Sequence, residues 1–288
     1  MGKVIIGIHG LNNKPAQEIL AADWLSAINE GLTRNREEAV VLPDSAFKLA
    51  YWATVMYGNN PIPDGENPEP YLPAEGTEPL PSADEGIRKL FFRIGDGVFK
   101  GVETVLTAVA RDAIEKGVDT KAPDVGAYRN DPTKCTKVQN CLKTLLINTY
   151  NQRDEIMLIA HSMGSFVAYD VLANRSDLPT ELKIAHFVTI GSPLGLHEVK
   201  TIVREDGHRL YVPNCVARWT NFVDPEDLVA RWDTHLESDY KRNSSGVKVS
   251  DQFVTNGYVN GEGKPNHHKI YGYLRTPEMS EAIAQFLR

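Results

Sequence analysis

The stretch "LIAHSMGSFVAYDVL", Leu158 to Leu172, decides how the rest of the chain is read. It begins as a short apolar strand, turns abruptly, and continues as the start of a helix. Ser162 sits at the apex, with Gly164 two residues after it and Ala160 two residues before. Where a strand runs straight into a helix the two backbones pass close together, so both flanking positions need small residues. The commoner pattern has Gly at the first of them. Ala160 adds one methyl and still meets the requirement. A serine at such an apex has its Oγ lifted above the sheet, facing backbone N–H groups at the helix N-terminus. A hydroxyl is a weak nucleophile, however, and needs a base for its proton and donors for the resulting oxyanion. The turn therefore asks for partners elsewhere: an acid after the serine, then a histidine.

The composition sets the frame. With 288 residues, 42% hydrophobic and 24% charged, the chain can bury a substantial core without covalent staples. A net charge of −7 without a Lys/Arg cluster argues against a nucleic-acid partner. Cys135, Cys141 and Cys215 cannot all pair with one another, which suits a reducing compartment better than a disulfide scaffold. "KVIIGIHG" carries only a brief apolar run, too short for a signal-peptide core. Ile6 stands where a myristoylation signal has Ser or Thr. No apolar run approaches the roughly 18 residues that a membrane span needs. The expectation is a cytoplasmic protein with no transmembrane segment, in which transient contact with a lipid surface is the only membrane role left open.

Short β-rich runs alternate with helical patterns, which predicts an α/β fold: a mostly parallel central sheet with helices on both faces. The predicted strands are Val4 to Ile8, Phe47 to Ala53, Glu155 to Ala160, a fourth from Lys183, Cys215 to Val223, and a run from Val249. Helices are predicted over "PAQEILAADWLSAINEGL", with Pro15 suited to its first turn, and at about 133–151, 163–174 and 277–287. Between the second and third strands the pattern breaks. Asn59 to Pro81, rich in Pro, Gly, Glu and Asn, reads as an irregular exposed segment. The helically spaced apolar residues of 86–116, including Phe91, Phe92, Val98, Phe99 and Val105, then read as one or two amphipathic helices. The expected organisation is a single domain over 1–288 with a helical lid or cap inserted at 59–130.

The partners appear in the required order. "RWTNFVDPEDLVA" is an apolar strand running into two carboxylates, Asp224 and Asp227. An acid just past a strand end can hold a histidine ring in its productive tautomer. Asp227, followed by Leu228 and Val229, is favoured, with Asp224 as its alternate because Pro225 also suits a turn there. "KPNHHKIYGYL" offers His267 and His268 in a polar loop ahead of the last helix. Adjacent side chains project differently, so one of them faces the serine; His268 is favoured and His267 is the alternate. Near the first strand, "IHGLNNKP" supplies a loop in which Gly10 permits a close backbone path. The N–H of Leu11, or of Asn12 as alternate, and that of Met163 are the expected oxyanion donors. His9 reads as a structural residue of that loop. No HExxH or Cys/His spacing points to a metal, and no cofactor is expected.

With these pieces assembled, the chain resembles the α/β-hydrolase superfamily. "IHGLNN", "LAYWA", "IAHSMGS", "TIGSP", "RWTNFVDPEDLVA" and "NHHKIYGYL" carry the resemblance and span almost the whole chain. "AHSMG" is similar to the elbow of some small bacterial lipases, where Ala also replaces the first Gly. The resemblance implies a Ser162, Asp227 and His268 triad acting on a small-molecule ester or acyl substrate through an acyl-enzyme. A serine peptidase or amidase with the same triad, and an inactive binding protein on the same fold, are the two rival expectations. The resemblance leaves oligomeric state and the substrate's acyl chain unspecified.

Overall fold

The computed structural model describes residues 2–36, 40–83, 123–175, 177–205, 209–231 and 234–288. Six strands build one sheet: β1 (Lys3–Ile8), β2 (Phe47–Ala50), β3 (Glu155–His161), β4 (His186–Ile190), β5 (Trp219–Val223) and β6 (Val249–Phe253), in the spatial order β2-β1-β3-β4-β5-β6. Every neighbouring pair is parallel. The helices are α1 (Gln17–Asn35), α2 (Ala53–Tyr57), α3 (Pro123–Asn130), α4 (Pro132–Asn151), α5 (Met163–Ala173), α6 (His197–Glu205), α7 (Leu236–Asp239), α8 (Ile270–Leu274) and α9 (Pro277–Leu287). The α/β class with a parallel sheet and helices is as the alternating pattern predicts.

Strand periodicity divides the core into two layers. Val4, Ile6 and Ile8 of β1 and Ile156, Leu158 and Ala160 of β3 point to the face covered by α4 and α5. The intervening Ile5, Met157 and Ile159 point to the face covered by α1, α8 and α9, where Trp24, Ile28 and Ile283 are buried. Because both faces are covered, the strands are continuously apolar, as parallel strands must be when neither side meets water. The helix termini are set by local chemistry. Asp131 accepts from the N–H groups of Thr133 and Lys134 ahead of α4, and Thr276 caps α9 ahead of Pro277.

Several predicted bounds change. The second strand ends at Ala50 rather than Ala53, because the Trp52 N–H leaves the ladder and donates to His9 Nε2 (3.0 Å); α2 follows at once. Pro15 precedes α1, which starts at Gln17, instead of forming its first turn. The fourth and fifth strands begin at His186 and Trp219; upstream of them only Ile184 and Val216 form an isolated bridge. Residues 59–81 carry neither helix nor strand, as expected. The predicted lid helices of 86–116 lie outside the described residues. Among the described residues, no helix is long and apolar enough to cross a membrane.

The strand order places the site. Successive connections run from β1 to β2 on one side and on to β3 on the other. The loops leaving the carboxyl ends of β1 and β3 therefore diverge and open a crevice between them, the usual ligand position in open parallel sheets. Gly10 to Asn13 follow β1 there, and Ser162 follows β3.

Candidate active site

Ser162 joins β3 to α5 with φ 53° and ψ −131°, a left-handed backbone that costs a non-glycine residue about 1–3 kcal/mol. Its N–H donates to the Ile190 carbonyl (3.0 Å), and its carbonyl accepts from the N–H and the hydroxyl of Ser165. These bonds hold the strained turn. A Cβ on Gly164 would lie 2.5 Å from the His9 carbonyl oxygen and 2.6 Å from that of Ile8. A Cβ on Gly10 would lie 2.7 Å from the Ser162 Cβ. Both glycines are there because β1, its loop and the elbow touch. Ala160, fully buried, fits without difficulty.

The Ser162 hydroxyl lies 3.0 Å from His268 Nε2, and His268 Nδ1 lies 2.9 Å from both carboxylate oxygens of Asp227. With Nδ1–H donating to the carboxylate, Nε2 is left to accept from the serine, so the network selects one tautomer. Asp227 is fully buried in the turn after β5 and its oxygens are satisfied: Val229 N–H donates to Oδ1 (2.8 Å) and the Tyr273 hydroxyl to Oδ2 (2.7 Å). Tyr273 accepts in turn from the Asp224 N–H (3.1 Å). Burial, and then the charge of Asp227, push the Tyr273 hydroxyl well above its usual range, so it stays a donor.

The histidine loop is pinned from several sides. Asn266 Oδ1 accepts from the His268 N–H, and Asn256 Nδ2 donates to the carbonyls of His267 and Lys269 (2.8 Å each). His161 Nε2 donates to the carbonyl of His268 (2.8 Å). Dehydration, and then the neighbouring His268, hold His161 neutral with its pKa well below the ordinary 6.5. Tyr273, Asn256 and His161 were not singled out by sequence. Each acts through a contact across the fold; His161 lies inside "AHSMG" and Tyr273 inside "NHHKIYGYL", but neither residue type at its position announces that contact.

His9 is structural, as expected. Nδ1–H donates to the Gly10 carbonyl (2.8 Å), Nε2 accepts from Trp52, and the ring stacks on the Trp52 indole at 4.7 Å. Burial pulls its pKa down to about 3.

The alternates are placed apart from the serine. Asp224 accepts from the N–H groups of Glu226 and Asn256, and its Oδ2 lies 3.4 Å from His267 Nδ1. His267 Nε2 lies 3.5 Å from a Glu226 oxygen. Burial raises the Asp224 pKa, against the lowering effect of those backbone donors and of His267. A second Asp–His pair thus lies beside the first. Asp224, Glu226 and His267 are also the one trio among the described residues with metal-ligating atoms all within 4.8 Å of one another. The N–H of Asn12, the alternate oxyanion donor, donates to Asp124 Oδ2 (2.8 Å). Leu11 and Met163 remain, with no acceptor recorded for either N–H among the described residues; Met163 is the first residue of α5, where helix geometry leaves the N–H unpaired.

Ser162, Met163, Leu11 and His268 border a cavity of about 560 Å³. Its apolar lining includes Met163 and Phe166 of α5 with Leu196, Val199 and Ile202; its polar lining includes Lys14, Glu69, Asn266 and Lys269. Such an arrangement can remove the serine proton, stabilise the imidazolium with a buried carboxylate, and hold a carbonyl oxygen at two backbone N–H groups. No known protein family's sequence profile matches the chain, and no curated protein matches it.

Proposed function

We propose that this protein is a serine hydrolase of the α/β-hydrolase fold that cleaves carboxylic esters. The observation that carries the reading is the unbroken relay from Ser162 Oγ to His268 Nε2 (3.0 Å) and from His268 Nδ1 to Asp227 (2.9 Å), set at the crevice between β1 and β3. Ser162 Oγ attacks the ester carbonyl while His268 takes its proton. The oxyanion of the tetrahedral intermediate sits on the N–H groups of Leu11 and Met163. Its collapse expels the alcohol, protonated by His268, and leaves an acyl-enzyme that a His268-activated water hydrolyses. Loss of one oxyanion donor costs about 3 kcal/mol of transition-state stabilisation. The parallel sheet, the strained serine turn and the apolar wall of the cavity support this reading, including substrates with an acyl chain.

The test is turnover of p-nitrophenyl esters from acetate to decanoate, beside the matched p-nitroanilides. The proposal expects ester hydrolysis that vanishes in Ser162→Ala and is strongest above acetate. Cleavage of anilides but not of matched esters makes the protein an amidase. No turnover of either class overturns the hydrolase reading in favour of a binding protein.

A further inference from the structure

The polar lining of the cavity carries more cations than anions. Its charged side chains are Lys14, Glu69 and Lys269. Glu69 is already engaged, with Oε1 accepting from Asn266 Nδ2 (2.7 Å) and Oε2 lying 3.4 Å from Lys269 Nζ. Lys269 is held further over the rings of Tyr271 (5.3 Å) and Tyr258 (6.0 Å). Lys14 differs: among the described residues no carboxylate lies within 4.0 Å of its ammonium, whose partners are the carbonyls of Leu11 and Asn12. Asp124, which does not line the cavity, acts on Lys14 through its charge and accepts from the Asn12 N–H and the Tyr57 hydroxyl (2.6 Å). Dehydration, and then the charge of Lys269, pull Lys14 down to about 8, with the charge of Asp124 working in the opposite sense.

The polar residues are linked to one another, and the apolar ones share helix faces. Ile62 N–H donates to the Lys14 carbonyl (2.8 Å), and Glu69 reaches Asn266 and Lys269, which joins the β1 loop, the 62–69 segment and the histidine loop into the polar side. Met163 and Phe166, spaced three apart on α5, and Val199 and Ile202, spaced three apart on α6, make the apolar side. Ser162 lines the same cavity, as does Lys14, two residues beyond Asn12 on the loop that carries Leu11.

We infer that the substrate is an amphiphilic anionic ester, with an apolar chain on the Phe166 and Ile202 wall and a carboxylate or phosphate on Lys14. The inference deepens the hydrolase reading and rests on it for the ester bond, while the anion site is separately measurable. Lys14 acts on the substrate's charge and takes no part in proton transfer. A cation dehydrated by burial, already linked to the loop beside the oxyanion donor, discriminates between charged and neutral ligands of equal apolar content.

The experiment measures binding of hexyl phosphate, hexanoate and hexanol to the Ser162→Ala protein by calorimetry. Turnover of hexanoyl esters of glycolate, ethylene glycol phosphate, ethanol and choline is measured in the unmodified protein. At least one anion is expected to bind ten-fold or more tighter than hexanol, and the preferred one tells carboxylate from phosphate. The preference is expected to disappear in Lys14→Met and to survive in Lys14→Arg, which a purely structural role for Lys14 would not produce. Equal binding of anions and hexanol, or a preference unchanged in a folded Lys14→Met, overturns the anion site. If anions bind selectively yet no ester turns over, the hydrolase reading fails and the anion site stands. If esters turn over with choline equal to glycolate, the reverse holds.

Discussion

At the scale of single residues, the elbow stores strain that a substitution can release. Ser162 holds φ 53°, a region that costs an L-residue about 1–2 kcal/mol more than glycine. Ser162→Gly is therefore expected to melt above Ser162→Ala, by about 2 °C for a chain of this size, with both variants inactive. Equal melting points would mean the turn relaxes instead. The doubled Asp and His residues mark the limit of what sequence could separate. Asp224 and Asp227 both follow β5, and His267 and His268 are adjacent, so spacing alone favoured one of each without deciding. The two pairs differ in three dimensions: His268 Nε2 lies within hydrogen-bond reach of Ser162, while His267 faces Asp224 and Glu226. Asp227→Asn is expected to lower kcat on the order of 10⁴-fold by disturbing the tautomer, and Asp224→Asn far less. Comparable losses in the two variants would reject this division of roles. Tyr273→Phe leaves the buried Asp224 N–H and an Asp227 oxygen without their partner, at about 1–3 kcal/mol of stability. Its kcat should fall with KM little changed, as expected for a residue that positions the carboxylate; a change in KM alone would contradict that role.

At the scale of elements, the strands were readable because apolar β-branched runs at parallel-sheet length are distinctive. Their ends were not. β2 stops where the His9 ring captures the Trp52 amide, a contact between residues 43 positions apart that no local pattern contains. Of the elements missed, α3, α7 and α8 are short, between four and eight residues, and isolated helices of that length form only through tertiary packing. α6 is different, since Val199, Ile202 and Val203 carry a helical spacing that sequence does contain. The contact of α5 with the end of β1 is the element-scale feature on which the site depends. Gly164→Ala forces a methyl against the His9 and Ile8 carbonyl oxygens, backbone atoms that cannot rotate away. It is expected to cost about 1–3 kcal/mol and to reduce turnover by moving Leu11 and Met163 relative to each other. Wild-type stability in this variant would show that the sheet and helix part more easily than the packing indicates.

At the scale of the whole molecule, buried histidines set the response to pH. Burial lowers His9 and His186 to about 3 from 6.5. The unfolded chain takes up their protons as pH falls through 6.5, whereas the folded protein does so only near 3. Stability is therefore complete above 6.5 and declines below it, by up to about 1.4 kcal/mol per pH unit for each residue. Asp23, Asp224 and Asp251 are shifted upward by burial and work in the opposite sense, softening the loss at lower pH. The urea midpoint is expected to fall between pH 7 and pH 5, and less steeply in His186→Gln; a flat midpoint would contradict the burial of these rings as neutral groups. The fold and the proposed chemistry meet at one atom, the Ser162 Oγ. The decisive measurement is labelling by a fluorophosphonate probe, followed by intact mass and peptide mapping. One adduct per chain is expected, on Ser162, absent in Ser162→Ala and strongly slowed in His268→Ala. No adduct on the native protein, or equal labelling of Ser162→Ala, would contradict it.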